Sequence, residues 1–430
     1  MHKKILLLSL PLVFSNLALP LVGIINTALI GHLDNSSYLA ATGLGISIVN
    51  VICFLFAFLR MSLTGLIAQS LNSIDKMLEI VIKAILIATL ISLLVISCKD
   101  IILLSVLNIV SISSDVKFLL SQFYNIAIYM LFFSLLNYIF VGFFIGVGKP
   151  RIVLYNSIIY MSASIFLSII FIVILNYNII GIAFSLVLAT VICCIYLVIN
   201  TLKYFYQHNS FTIRKLYNYQ LLNLSSYIPF IKINVNIFVR SLFLLLVFNS
   251  FYIFSSNYGK NILAANTILV EIGMFFAMFL DALANTTESL VAQAYVDKNI
   301  SLLRETVYKT FLQSMILILI LSLIYFAFSN YIIKMFTDIL DVKNQINKYI
   351  VFSFFIPLTA SFSFWIDGVF VGLLKTVAMR NSMILSSLVY IICILLLKPY
   401  ENYGLWIALI LFYIARTIFL LFPLKKYLTR

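Results

Sequence analysis

The sequence predicts an all-α polytopic membrane protein: twelve transmembrane helices in two six-helix bundles related by a pseudo-two-fold axis normal to the membrane. Three observations predict it. Apolar runs long enough to cross a bilayer, ~20 residues each, recur from end to end, and the composition agrees, with 63% hydrophobic and only 10% charged residues. The basic residues crowd onto alternate connections between these runs. The second half repeats the first at a nearly constant offset.

Twelve spans fit the hydropathy: about 5–31, 38–71, 78–98, 116–147, 152–176, 179–203, 226–254, 261–296, 306–330, 346–374, 378–398 and 403–424. No soluble-looking stretch exceeds the short Lys203–Ser226 connection, so we expect two membrane lobes, 1–203 and 226–430, joined by a cytoplasmic linker over 204–225. The opening MHKKILLLSLPLVF has the charge pattern of a signal peptide, but its apolar region runs on to about Ile30 without an A-x-A-like site. It is therefore read as a retained first span.

Of the 28 Lys and Arg residues, 17 fall on one side of this arrangement, 7 on the other, and Arg60, Lys232, Arg240 and Arg416 within spans. The positive-inside rule then places both termini in the cytoplasm. The net charge of +14 needs no nucleic-acid partner, because these basic residues sit in connections where topology accounts for them. Pro11 and Pro20 both lie in the first span, where each removes an amide donor and invites a bend; Pro229 opens the seventh and Pro357 interrupts the tenth. Proline is also ordinary in membrane helices.

The repeat rests on several matches. Leu39-Ala40-Ala41 corresponds to Leu263-Ala264-Ala265, and Ala68-Gln69 to Ala292-Gln293, both 224 positions apart. Gly142, Gly146 and Lys149 correspond to Gly368, Gly372 and Lys375 at 226, and Gly181 to Gly404 at 223. Six spans per half in the same order make parallel repeats, with a cavity expected between them. The polar chemistry is not repeated. Glu271, Asp281, Glu288 and Asp367, the acids inside spans, all belong to the second half, while the first keeps Asn26, Asn50, Arg60, Thr64, Gln69 and Asn137.

Three of these acids share the stretch Leu263–Gln293. Asp281 and Glu288 stand two helical turns apart on one face, with Asn285 between them. Each charge at the centre of a membrane helix costs about 2.5–3.5 kcal/mol on insertion scales, so the seam is tolerated where it faces a bundle interior or a watery cavity. Two readings stand: an ion-coupling surface, or a packing seam of protonated, hydrogen-bonded acids. The three His, at 2, 32 and 208, are too scattered for a metal site. There is no HExxH, GxSxG or Walker-type loop, and the five Cys lie in or beside apolar segments as small core hydrophobes. An enzyme is not expected.

The motifs Leu10-Pro11 with Asn26-Thr27-Ala28-Leu29-Ile30-Gly31-His32-Leu33, Phe58-Leu59-Arg60-Met61-Ser62, Thr64-Gly65-Leu66, Leu263-Ala264-Ala265-Asn266, Leu280-Asp281, Glu288, and Asp367-Gly368-Val369-Phe370 with Met379-Arg380-Asn381 resemble the multidrug and toxic compound extrusion (MATE) transporters, most closely their DNA-damage-inducible protein F (DinF)-like branch. The resemblance spans essentially the whole chain. It implies a two-lobed exporter of the bacterial inner membrane that expels small amphipathic, often cationic compounds by alternating access. Proton or sodium entry would drive it, with no nucleotide and no other cofactor. We expect it to work as a monomer in the lipid bilayer. Relatives carry an acid where Asn26 stands, and often Asn and Asp where Ser164 and Ser168 stand; span 7 commonly has an acid near Asn236. Loss of titratable groups from the first lobe places the expected ion-coupling and substrate cavity on Asp281, Glu288, Asp367 and Glu271, with Asn26, Arg60, Asn236, Gln69 and Gln293 around it, helix bending at Pro11 and Pro20, and a site for Na⁺ near Asp367 and Asn236. A lipid-linked oligosaccharide flippase of related architecture, or a transport-deficient scaffold whose coupling residues have decayed, are the alternatives.

Overall fold

The structure is a computed structural model that describes residues 1–31, 36–110, 113–208 and 224–429. His32 and Leu33, and most of the expected 204–225 linker with Arg214 and Lys215, lie outside the described residues. Among the described residues the chain is helical throughout. Eleven helices are long and apolar enough to cross a membrane, and a bent pair, Ser114–Ala127 and Met130–Gly146, meets at 45° and counts as a twelfth span. With no water in the hydrocarbon region, every backbone amide must find its partner within its own segment, and a helix provides this.

The helices in chain order are α1 (His2–Gly31), α2 (Ser36–Leu55), α3 (Phe58–Ala68), α4 (Ile74–Ser97), α5 (Lys99–Ile109), α6 (Ser114–Ala127), α7 (Met130–Gly146), α8 (Pro150–Ile169), α9 (Asn178–Gln207), α10 (Ile228–Ser256), α11 (Lys260–Val296), α12 (Ile300–Phe336), α13 (Leu340–Gly372), α14 (Thr376–Leu396) and α15 (Glu401–Thr429). α1 is continuous through Pro11 and Pro20, and α13 through Pro357. α2 and α3 form one span with a turn at Phe56 and Ala57. A single π-helical turn, Ile170–Ile174, ends the fifth span. Hydropathy did not anticipate α5. At 11 residues it is too short to cross a bilayer, and its Ile101 and Leu104 are exposed, as suits a helix lying at the membrane surface.

The chain divides into two compact units: Phe14–Phe230, and Met1–Val13 together with Ile231–Arg430. The opening turns of α1 thus belong with the second unit. There Ile5 packs on Leu283 and Leu290, and Gln313 Nε2 donates to the His2 carbonyl at 3.1 Å. Sequence-based boundaries follow the gaps between spans, whereas side-chain contacts are free to divide a helix.

Each unit is held by the same crossings. A Cβ on Gly142 of α7 would lie 2.6 Å from the Arg60 carbonyl of α3, and one on Gly146 would lie 2.8 Å from that of Thr64. In the second unit the corresponding distances are 2.6 Å from Gly368 of α13 to the Ala284 carbonyl of α11, and 2.7 Å from Gly372 to that of Glu288. Lipid tails are as apolar as Leu, so helices gain little by hiding apolar surface from them, and close backbone approach through small residues supplies the packing instead. The repeat reaches side chains too. Asn137 Nδ2 donates to the Thr190 carbonyl at 3.2 Å, and Ser363 Oγ to that of Tyr413 at 2.9 Å. Lys149 lies 4.7 Å from the Tyr204 ring centre, and Lys375 lies 5.3 Å from that of Tyr427.

The second unit also contains a polar knot. Asn266 is fully buried. Its Nδ2 donates to Ser255 Oγ and to Asn402 Oδ1, each at 2.7 Å, while its Oδ1 accepts from Asn402 Nδ2 at 3.1 Å and Trp406 Nε1 at 3.0 Å. Donors and acceptors of the amide are all matched, so the motif residue Asn266 fastens α10, α11 and α15 together.

Candidate functional site: a buried charge cluster in the second unit

α11 passes through the second unit with one charged seam. Glu288 is 1% exposed, and its backbone carbonyl meets Gly372 at the tight crossing with α13. Asp281 is half-buried, and its Oδ2 accepts from Asn285 Nδ2 at 3.2 Å. On α13, Asp367 is buried between two arginines from different helices: Arg240 of α10 and Arg416 of α15 both donate to Asp367 Oδ2. Both guanidiniums are buried as well, so each needs an anion to offset its lost hydration. Glu288 and Asp281 lie within electrostatic reach of Arg240. Arg240 therefore links the acids of α11 to Asp367, and the three carboxylates expected to act together share one electrostatic neighbourhood.

Arg240 and Arg416 were visible in the sequence only as arginines within spans. A lone Asp in a third apolar span is the available signal that they pair, since intramembrane charges pair with one another. Their counterparts under the repeat are Asn16 and Cys193, and that of Asp367 is Val141. The triad is thus built entirely from positions where the halves differ. The same two positions are joined in both halves with donor and acceptor exchanged: Ser382 Oγ donates to the Arg416 carbonyl at 3.0 Å, whereas Cys193 Sγ donates to that of Asn156 at 3.4 Å.

Sodium was expected near Asp367 and Asn236, and the structure gives both residues other cationic neighbours. Asp367 accepts from two guanidiniums. Asn236 accepts from Arg380 on Oδ1 at 2.9 Å and donates to Thr376 Oγ1 at 3.2 Å. A metal cation at either place would meet fixed positive charge. Among the described residues no three His, Cys, Asp or Glu side chains gather as a metal site. Glu271 is exposed and apart from the cluster, with Tyr252 within electrostatic reach. Gln293 Nε2 donates to Ser289 Oγ at 3.2 Å one turn before α11 ends, and Gln69 caps the end of α3 at the matching place.

The first unit places its polar residues differently. Asn26 is buried. Its Oδ1 accepts from Ser168 Oγ at 3.0 Å, Ser168 bonds Ser185 Oγ at 2.8 Å, and Ser185 donates to the Ile182 carbonyl. Ser164 is fully buried one turn before Ser168. The chain amide–hydroxyl–hydroxyl–carbonyl is uncharged from end to end. Arg60 stands elsewhere in this unit, within electrostatic reach of Tyr138, with its carbonyl at the Gly142 crossing.

Two repeated bundles of membrane-crossing helices, one with compensated charges in its apolar interior, define the class: a polytopic membrane protein built on parallel repeats, as many transporters are. The MatE family model matches residues 11–174 and 237–396, and the chain belongs to this family of MATE transporters. It is 28% identical over 416 residues to DNA damage-inducible protein F of Escherichia coli (strain K12), which covers 95% of this chain and 89% of that protein. Among solved structures it is similar to a MATE protein in complex with MaL6, at TM-score 0.83 and 16% identity over 99% of this chain and 96% of the other. It is also similar to a MOP superfamily transporter from Pyrococcus furiosus, described as having a binding pocket of reverse polarity, at TM-score 0.82 and 17% identity over 100% and 97%. At these identities the solved structures speak to the fold. Members of the family are transporters rather than enzymes.

Proposed function

We propose that the chain is a secondary active exporter of small amphipathic, often cationic compounds in the bacterial inner membrane, working as a monomer with both termini cytoplasmic. The observation that carries this reading is the gathering of Asp281, Glu288 and Asp367 around Arg240 inside a family of transporters. Intramembrane charges are costly and mark ion or substrate pathways. Here Asp367 is compensated by two arginines, so the coupling step falls to Glu288 and Asp281, which take up a proton or Na⁺ in exchange for their attraction to Arg240. Alternating access changes the hydration of these carboxylates, and hydration sets which form is favoured. The first unit binds through neutral groups, because Asn26 hydrogen-bonds as a protonated acid would but does not titrate.

A flippase acting on a pyrophosphate head group would need arginines directed at the substrate. Arg240 and Arg416 are both engaged by Asp367, which favours the exporter. The test is ethidium transport by the purified protein in proteoliposomes, with an imposed pH or sodium gradient. Gradient-dependent ethidium movement by wild type, reduced at least tenfold in Glu288→Gln, is expected. Transport unchanged by Glu288→Gln would move coupling away from this cluster. No gradient-dependent movement of ethidium or other amphipathic cations would favour the scaffold reading.

A further inference from the structure

The second unit carries an open cavity of about 510 Å³ between α12, α13 and α15. Its walls are almost wholly apolar, and among the described residues no carboxylate lines it. Phe311 and Trp365 form an aromatic floor with ring centres 4.9 Å apart, and Trp365 is held there by donating to the Val307 carbonyl and to Thr310 Oγ1, each at 3.2 Å. Tyr308 and Phe422 stand at the mouth, both well exposed. The charged residues of the lining are Arg304 and Lys425.

These two cations sit where helices end. Arg304 is in the second turn of α12, and its Nε donates at 2.6 Å to the carbonyl of Leu428, capping the last turn of α15 where carbonyls lack helical partners. That bond uses one of five guanidinium donors. Nearby Lys309 is neutralised by Glu305 at 2.5 Å, so it leaves the balance at the cavity unchanged. A groove with an apolar, aromatic interior and two cations at the helix-end level matches one amphiphile: an acyl chain inside and an anionic head at the rim. The same two cations disfavour a cationic export substrate.

We propose that this cavity is a binding site for an anionic phospholipid, its acyl chain against Phe311 and Trp365 and its phosphate between Arg304 and Lys425. Each basic residue near the membrane surface contributes roughly fivefold in affinity for an anionic lipid. The test is native mass spectrometry of the full chain in detergent, titrated with phosphatidylglycerol and with phosphatidylethanolamine of identical acyl chains. Arg304 also caps α15, so Lys425→Gln is the charge variant and Leu421→Trp, which fills the groove, is the shape variant; both positions are exposed. Wild type should prefer phosphatidylglycerol by at least about fivefold. Lys425→Gln should lose most of that preference, and Leu421→Trp should weaken both lipids. Equal binding of the two lipids by wild type overturns the proposal, as does a preference fully retained in Lys425→Gln. Lipid binding unaffected by Leu421→Trp does so too.

Discussion

Asp367 is the residue on which the second unit's charge balance turns. Both arginines bonded to it are buried, and removing one partner of a buried ion pair leaves an uncompensated charge at a cost of about 3–5 kcal/mol. Asp367→Asn should therefore lower the thermal unfolding temperature of the detergent-solubilised protein sharply, while Asp281→Asn, at a half-buried position with an amide partner, should leave it within a degree or two. Combining Asp367→Asn with Arg416→Met should recover part of the loss, because the second change removes a guanidinium left unpaired. If Asp367→Asn melted like wild type, the ion triad would not be what holds these three helices in register. The stability readout separates this structural role from the coupling role proposed for Glu288.

At the level of helices, the paired glycine crossings make a comparable claim. A methyl group at Gly368 would lie 2.6 Å from the Ala284 carbonyl, and at Gly142 the same 2.6 Å from that of Arg60. A backbone oxygen cannot rotate aside as a side chain can, so the helices must separate. Gly368→Ala and Gly142→Ala should each cost about 1–3 kcal/mol, the usual range for overpacking, and should do so to similar extents because the geometry is repeated. Gly273→Ala is the control, since nothing lies within 4 Å of a Cβ there. Its melting should be unchanged or slightly raised, given that Ala favours a helix by about 1 kcal/mol over Gly. Equal melting of all three variants would refute the close-packed crossing.

For the whole molecule, the basic-residue bias predicts the orientation in the membrane. Lys260 begins α11 and Lys298 follows its end, so a helix of 37 residues separates them, about 55 Å at 1.5 Å per residue. On a background without the native Cys, a Cys at 260 should react with an impermeant maleimide in intact cells, and one at 298 should react only after the membrane is opened. The reversed pattern would place both termini outside and contradict the basic-residue bias of 17 to 7.

The sequence by itself determined the spans and the repeat, because a chain in lipid has few choices. Backbone groups must be satisfied within each segment, span length is tied to bilayer thickness, and equal offsets preserve helix order. The Gly142–Gly146 and Gly368–Gly372 matches could be read as packing positions for the same reason. α5 escaped because hydropathy detects helices that cross, not short ones. Glu271 stands apart in the sequence too: at 100° per residue it lies roughly 80–100° around the helix from Asp281 and Glu288, and the structure leaves it exposed. The tertiary structure alone decided that Arg240 and Arg416 converge on Asp367. Those residues come from three helices separated by 127 and 49 positions. Their meeting depends on how each helix is rotated about its axis, which helix–helix packing sets and hydropathy along a span does not record.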